Sequence, residues 1–180
     1  WFCAMAYADW KAERTGINYR LLHGVEWEKA ARGVDGRLFP WGDGFDPSYS
    51  CMHRSHQKYP LPVVVDSFPI DESVYGCRGM AGNNRDWCLN LSLAEWSQMK
   101  GFEKNEDDWL LYQGDVDVMN TLFKQENISS LSDVPQTSPR VVRGGFFSGS
   151  ATQSHAASRV GFRAGVRYGD VGFRIGYSIS

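Results

Sequence analysis

Cysteine and histidine carry soft-metal and redox chemistry, and this chain has four of each: Cys3, Cys51, Cys77 and Cys88, with His23, His53, His56 and His155. Their spacing does little to unite them. No CxxC pair occurs, and no cysteine stands at zinc-like spacing from a histidine. Two disulfides are arithmetically possible, and four separate thiols acting as small buried hydrophobes are the equal alternative. His53 and His56 are three apart, a spacing that would bring both to one helix face. With no carboxylate beside them, a solvated loop pair is the simpler reading.

A second concentration of chemistry lies near the C-terminus. Residues 146–155 and 160–170 interleave Ser, Gly, Thr and Gln with Phe, Tyr, His and Arg. Rings offer contact area at low entropy cost and small polar residues offer adaptable hydrogen bonding, which is the composition of binding loops. The bulk charge is no guide to a partner: a formal net charge of −2 and a pI near 6.1 exert no pull toward nucleic acid or an anionic membrane. No apolar run reaches the roughly 18 residues of a membrane span. The 42% hydrophobic and 22% charged composition excludes a disordered chain.

The elements that must position these residues are short. Phe2, Met5, Ala6 and Trp10 form a helix-like stripe that Gly16 stops, and Asn18 to Leu21 reads as extended. A second helix, starting at Val25, is closed by Gly33. Phe39-Pro40-Trp41-Gly42 is a tight turn, and 45–62 is loop. Val63-Val64-Val65 reads as a short buried strand, Arg140 to Arg143 as another, and Gly172 to Tyr177 as a last one. Residues 92–134 are polar and charged and read as a surface insertion, with a helix near 116–124. Two early helices followed by short strands and much loop give an α+β domain.

Four ordered segments carry a resemblance. Tyr19-Arg20-Leu21 with 26–33 and Phe39-Pro40-Trp41-Gly42 comes first, and Val65-Asp66-Ser67-Phe68-Pro69 second. Met80-Ala81-Gly82-Asn83 running into Asp86-Trp87-Cys88 is third. The last comprises Arg140 to Gly145, Ala157-Ser158-Arg159 and Gly172-Phe173-Arg174. Together they resemble the formylglycine-generating enzymes and sulfatase-modifying factors. That resemblance implies a C-type lectin-like fold across 1–180, a single domain lacking its N-terminal portion. Arg143, Arg159 and Arg174 are expected to tie loop carbonyls and carboxylates together inside it.

Catalytic members of that family carry two copper-binding cysteines shortly after the Arg-Gly-Gly motif, where soft thiolates suit copper(I). Here 146–155 holds no cysteine, so copper and formylglycine generation are not expected. The resemblance also implies a calcium site at the Gly-Asn turn, with Asp86 as a hard oxygen ligand and carbonyls from Gly82 and Asn84. Gly79 and the positive Arg85 count against it. His23 and Gly24 replace the family's usual capping threonine and acidic residue, which reads as local drift weakening the helix start.

The expectation is therefore a non-catalytic module that binds a protein or small ligand. Its candidate surface is Phe147, Ser148, Ser150, Thr152, Gln153, His155, Arg163, Tyr168 and Asp170. The variable proteins of diversity-generating retroelements use the same scaffold with a variable region there. Residues 28–42 also resemble sensor domains linked to bacterial protein kinases. A family oxidase with an altered active site is the alternative. The compartment stays open between bacterial cytoplasm and cell surface.

Overall fold

The computed structural model describes residues 1–92 and 130–178, together with the backbone of 102–104 and 110–112. The first helix, α1 (Phe2–Thr15), ends where Gly16 takes a left-handed φ of 71° and its amide bonds the Ala12 carbonyl. Strand β1 (Arg20–Leu21) follows, then α2 (Gly24–Arg32), closed by Gly33. Strands β2 (Arg85–Leu91), β3 (Phe102–Lys104), β4 (Leu110–Tyr112), β5 (Pro139–Arg143), β6 (Arg159–Arg163), β7 (Val171–Phe173) and β8 (Ile175–Gly176) complete the order.

The central sheet runs β6-β5-β2-β7. Its pairings are antiparallel except β2 with β7, which is parallel. Successive strand residues face opposite sides, and the core divides accordingly. Trp87 and Val142 pack with Trp1, Ala4 and Leu21 on the α1 side. Cys88 and Val141 pack with Trp27 and Ala31 of α2 on the other. The sheet is thus a layer between two helices. A two-stranded sheet of β1 and β8 ties the two ends of the described chain together.

Several expectations change. Val63-Val64-Val65 is not a buried strand: Val64 is 78% and Val65 65% exposed, and Val65–Ser67 forms a 3-10 turn. The apolar content of that run is spent on the surface. The buried stripe of α1 is Trp1, Ala4 and Ala8, whereas Ala6 faces solvent and Trp10 is half-exposed. Phe2 and Met5 of the expected stripe pack, partly buried, against the same core. The C-terminal strand is two strands on two sheets, broken at Arg174, whose side chain turns inward. Residues 159–163, for which no strand was expected, form the edge strand β6. The helix expected near 116–124 lies outside the described residues. No described helix is long and apolar enough to cross a membrane.

Candidate functional site

Strand β5 delivers the Arg-Gly-Gly turn against the Met80–Asn83 turn, and glycine is what permits the approach. A Cβ on Gly145 would stand 2.0 Å from the Ala81 carbonyl oxygen, and one on Gly82 would stand 2.3 Å from the Cys51 carbonyl oxygen. Three backbones therefore meet without side chains between them. Asn83, at φ 69°, donates its amide to Cys51 O and accepts from Phe147 N at 2.9 Å. Its side chain clamps Val63 on both main-chain groups. Beneath lies Asp71, 1% exposed, accepting from Ser50 Oγ at 2.5 Å and from the amides of Met80 and Ala81 at 3.1 Å. Burial pushes its carboxyl above the ordinary value despite these donors.

Of the three arginines expected to tie loops, Arg143 and Arg174 do so; Arg159 is exposed at the start of β6. Arg143 donates to the carbonyls of Gly24, Ala157 and Ser158 and to the Glu28 carboxylate. Burial would raise Glu28, but Arg143 and Arg32 hold it below its ordinary value. Arg174 donates to Asp86 Oδ2 at 2.6 Å and to the carbonyls of Arg78 and Gly79.

Of the residues named for calcium, Asp86 already has partners. Asp86 is 5% exposed, and its Oδ2 accepts from both the Trp27 indole at 2.9 Å and Arg174. Gly82 is pressed on Cys51. Asn84 Oδ1 is buried and has no hydrogen-bond partner among the described residues. No group of three or more His, Cys, Asp or Glu able to hold a metal ion is found among the described residues.

His23 is not drift. It is the N-cap of α2, its Nδ1 accepting from Val25 N at 3.4 Å while Glu26 accepts from His23 N at 2.8 Å, so an imidazole replaces the hydroxyl in a capping box. Gly24 is equally purposeful: its amide bonds Asn90 Oδ1, and a Cβ would crowd Val141 at 3.2 Å. His53 opens a 3-10 turn that His56 closes, and His56 Nε2 lies 3.5 Å from Cys51 Sγ rather than facing solvent with its partner. All four cysteines are free. Burial raises the thiol of Cys51, which also donates to the Leu61 carbonyl.

The expected binding residues fall into two groups. In the first, Ser150 bonds Thr152 and Gln153, and the backbone turns through Thr152–Ser154. His155 meets the edge of Phe39, which stacks on Trp41 at 5.0 Å; burial pulls the imidazole below its ordinary value. Ser148, Thr152 and Gln153 are exposed. In the second group, Tyr168 stacks on Phe162 at 4.4 Å, Phe162 meets Trp87, and Arg163 is exposed.

Three residues missed by sequence reasoning join the groups. Phe146 touches Phe147, and its ring lies 2.9 Å from where a Gly149 Cβ would stand. The same ring lies 3.7 Å beneath the Arg85 guanidinium, with Phe162 at 5.5 Å. Arg85 N bonds the carbonyl of Asp170, whose carboxylate approaches the guanidinium to 3.8 Å. Arg85, Phe146 and Phe162 thus lie together between the two groups. The signal for them was the arginine placed among rings, which sequence alone offers as a charge in a turn.

Residues 1–179 match the family described as the sulfatase-modifying factor enzyme 1-like domain. The chain belongs to that family. Over 105 residues it is 42% identical to uncharacterized protein YfmG of Bacillus subtilis (strain 168), covering 47% of this chain and 20% of that protein. Over 99 residues it is 30% identical to the formylglycine-generating enzyme of Mus musculus, covering 48% and 24%. The chain therefore spans a quarter or less of these curated relatives. Among solved structures, PvdO from Pseudomonas aeruginosa superposes with a TM-score of 0.64 at 19% identity, over 96% of this chain and 57% of that one. Variable protein 1 of Treponema denticola gives 0.54 at 26% identity, over 88% and 47%. The α+β, C-type lectin-like fold expected of the family is the fold observed.

Proposed function

We propose that this family domain is a non-catalytic module that binds a protein or small ligand through its C-terminal surface. The observation that carries the reading is the segment after Gly145. Where the family's catalytic members place two cysteines, 146–155 holds none, and its exposed side chains are Ser148, Ser150, Thr152 and Gln153. Arg163, Tyr168 and Asp170 extend the surface beyond Phe146. Likeness to the Treponema variable protein supports this use of the scaffold.

The same reading takes 1–180 as one domain with 92–134 inserted at its surface. Ser92 N bonds Pro139 O at 2.8 Å and Leu91 pairs with Arg140, so the chain leaves and re-enters the sheet at one point. Calcium has little part in it, because the Asp86 carboxylate is engaged by Trp27 and Arg174. An oxidase with an altered site is favoured only by the likeness to the mouse enzyme. A kinase link rests on residues 28–42 alone.

A thermal-shift screen against metabolites and peptides tests the binding reading. A ligand raising Tm by about 3 °C is expected to lose its effect in Tyr168→Ala and in Gln153→Ala. Ligands whose shift survives both substitutions contradict the placement. The retroelement form has its own test, a reverse-transcriptase gene and an imperfect repeat of the C-terminal coding segment in the neighbouring DNA. Absence of both removes it.

A further inference from the structure

We propose that Arg85 is the receptor for a carboxylate on the ligand of this surface, a small monocarboxylate with an apolar or aromatic flank. The proposal rests on reading 146–170 as a binding surface and names the chemistry it selects.

The contrast among enclosed arginines carries it. Arg143 donates to four acceptors, Arg174 to three, and Arg20 forks onto both oxygens of Glu26. Arg85 is more enclosed than Arg20 or Arg174, with about 10% of its side chain exposed against 26% and 30%, yet no hydrogen bond joins its guanidinium to an acceptor among the described residues. What it has is the ring of Phe146 at 3.7 Å, that of Phe162 at 5.5 Å, and the Asp170 carboxylate no nearer than 3.8 Å.

Stacking satisfies only the face of a guanidinium. Its five N–H donors lie in the plane and point outward from the edge. Donors left unmade in an apolar surround are expensive, and none of the Arg85 nitrogens is both fully buried and unpartnered, so the edge of its guanidinium is met by solvent that a ligand could replace. About 10% of the Arg85 side chain remains exposed, so an edge is open to an incoming group.

Three features select the ligand. A planar carboxylate presents two oxygens to the guanidinium fork, and charge-assisted bonds of that kind gain strength where water is thin. The neighbouring Asp170 charge opposes a dianion more than a monoanion, which sets carboxylate ahead of phosphate. The Phe162–Tyr168 stack at 4.4 Å, continuous with Trp87, offers a flat apolar flank beside the charge.

The test uses the intact chain, following the arginine Nε–Hε and tryptophan indole NMR signals. Sodium acetate, benzoate and phosphate are titrated at constant ionic strength against a chloride control. The Arg85 signal, assigned by its loss in Arg85→Lys, is expected to shift saturably with acetate. Benzoate is expected to act at several-fold lower concentration, and phosphate at several-fold higher. In Arg85→Gln the accompanying Trp87 response weakens about tenfold or more.

Asp170→Asn provides a second arm should Arg85→Gln fail to fold. Removing the competing carboxylate is expected to tighten acetate several-fold. The proposal is overturned by the absence of saturation, by a chloride response of equal size, by phosphate binding tighter than acetate, or by Asp170→Asn weakening the response. If it is overturned while a screened ligand still depends on Tyr168, the binding module stands and only its carboxylate anchor fails.

Discussion

Asp71 is where burial and hydrogen bonding oppose each other most plainly. Burial lifts its carboxyl above the ordinary value, while Ser50 and the amides of Ala81 and Met80 favour the ionised form. A raised folded-state value means that its stabilising contribution is complete below the unfolded value near 4 and is lost as pH rises through the folded one. Glu26 and Glu28 act in the opposite sense, since both are held below their ordinary values and lose their contribution as pH falls. The difference between wild type and Asp71→Asn isolates Asp71. Asparagine keeps the oxygen that Met80 and Ala81 bond and is neutral at every pH. Chemical denaturation is expected to find the two proteins equal near pH 4 and the variant more stable at pH 7; a gap independent of pH would contradict the account. Asp71→Ala orphans two buried amides and a hydroxyl, and is expected to cost about 3 kcal/mol.

At the scale of elements, the closest approach in the fold is glycine against carbonyl. Gly145→Ala would place a methyl 2.0 Å from Ala81 O, where both sides are backbone and neither yields cheaply. The expected cost is about 3 kcal/mol, read as a loss in denaturation midpoint, whereas Gly44→Ala, with open space around it, is expected to change stability by about 0.5 kcal/mol or less. Equal effects would mean that the turn stacking is not what holds the site.

The same elements show what the residues announced. Both helices were legible because glycine stops and apolar spacing are local signals. The strand before Gly144 was legible because four consecutive residues of Arg and Val precede a glycine pair. Val63-Val64-Val65 misled, since β-branched residues signal a buried strand while Asn83 instead clamps Val63 into an extended surface strap. The break at Arg174 was illegible for a related reason: its cause, Asp86, lies 88 residues away. The capping role of His23 was hidden because imidazole is an uncommon cap and its partner Glu26 decides it.

For the molecule as a whole, scaffold and site were unequally readable. The ordered motifs named the family, and Trp27, Trp87 and Arg143 are buried in its fold while the half-buried Arg174 ties Asp86 to the Arg78–Gly79 turn. The candidate surface was marked at its polar rim, Ser148 to Gln153, but its centre was missed. Arg85, Phe146 and Phe162 come from three separate segments and gain meaning only once the sheet sets Asp170 beside Arg85. The proposal at this scale is that the family scaffold serves binding here and does not run the cysteine chemistry of its catalytic members. Incubation with copper(I) and a cysteine peptide derived from a sulfatase, followed by mass spectrometry for the aldehyde, tests that most directly. The account predicts unmodified peptide at every time point, and turnover to formylglycine would contradict it.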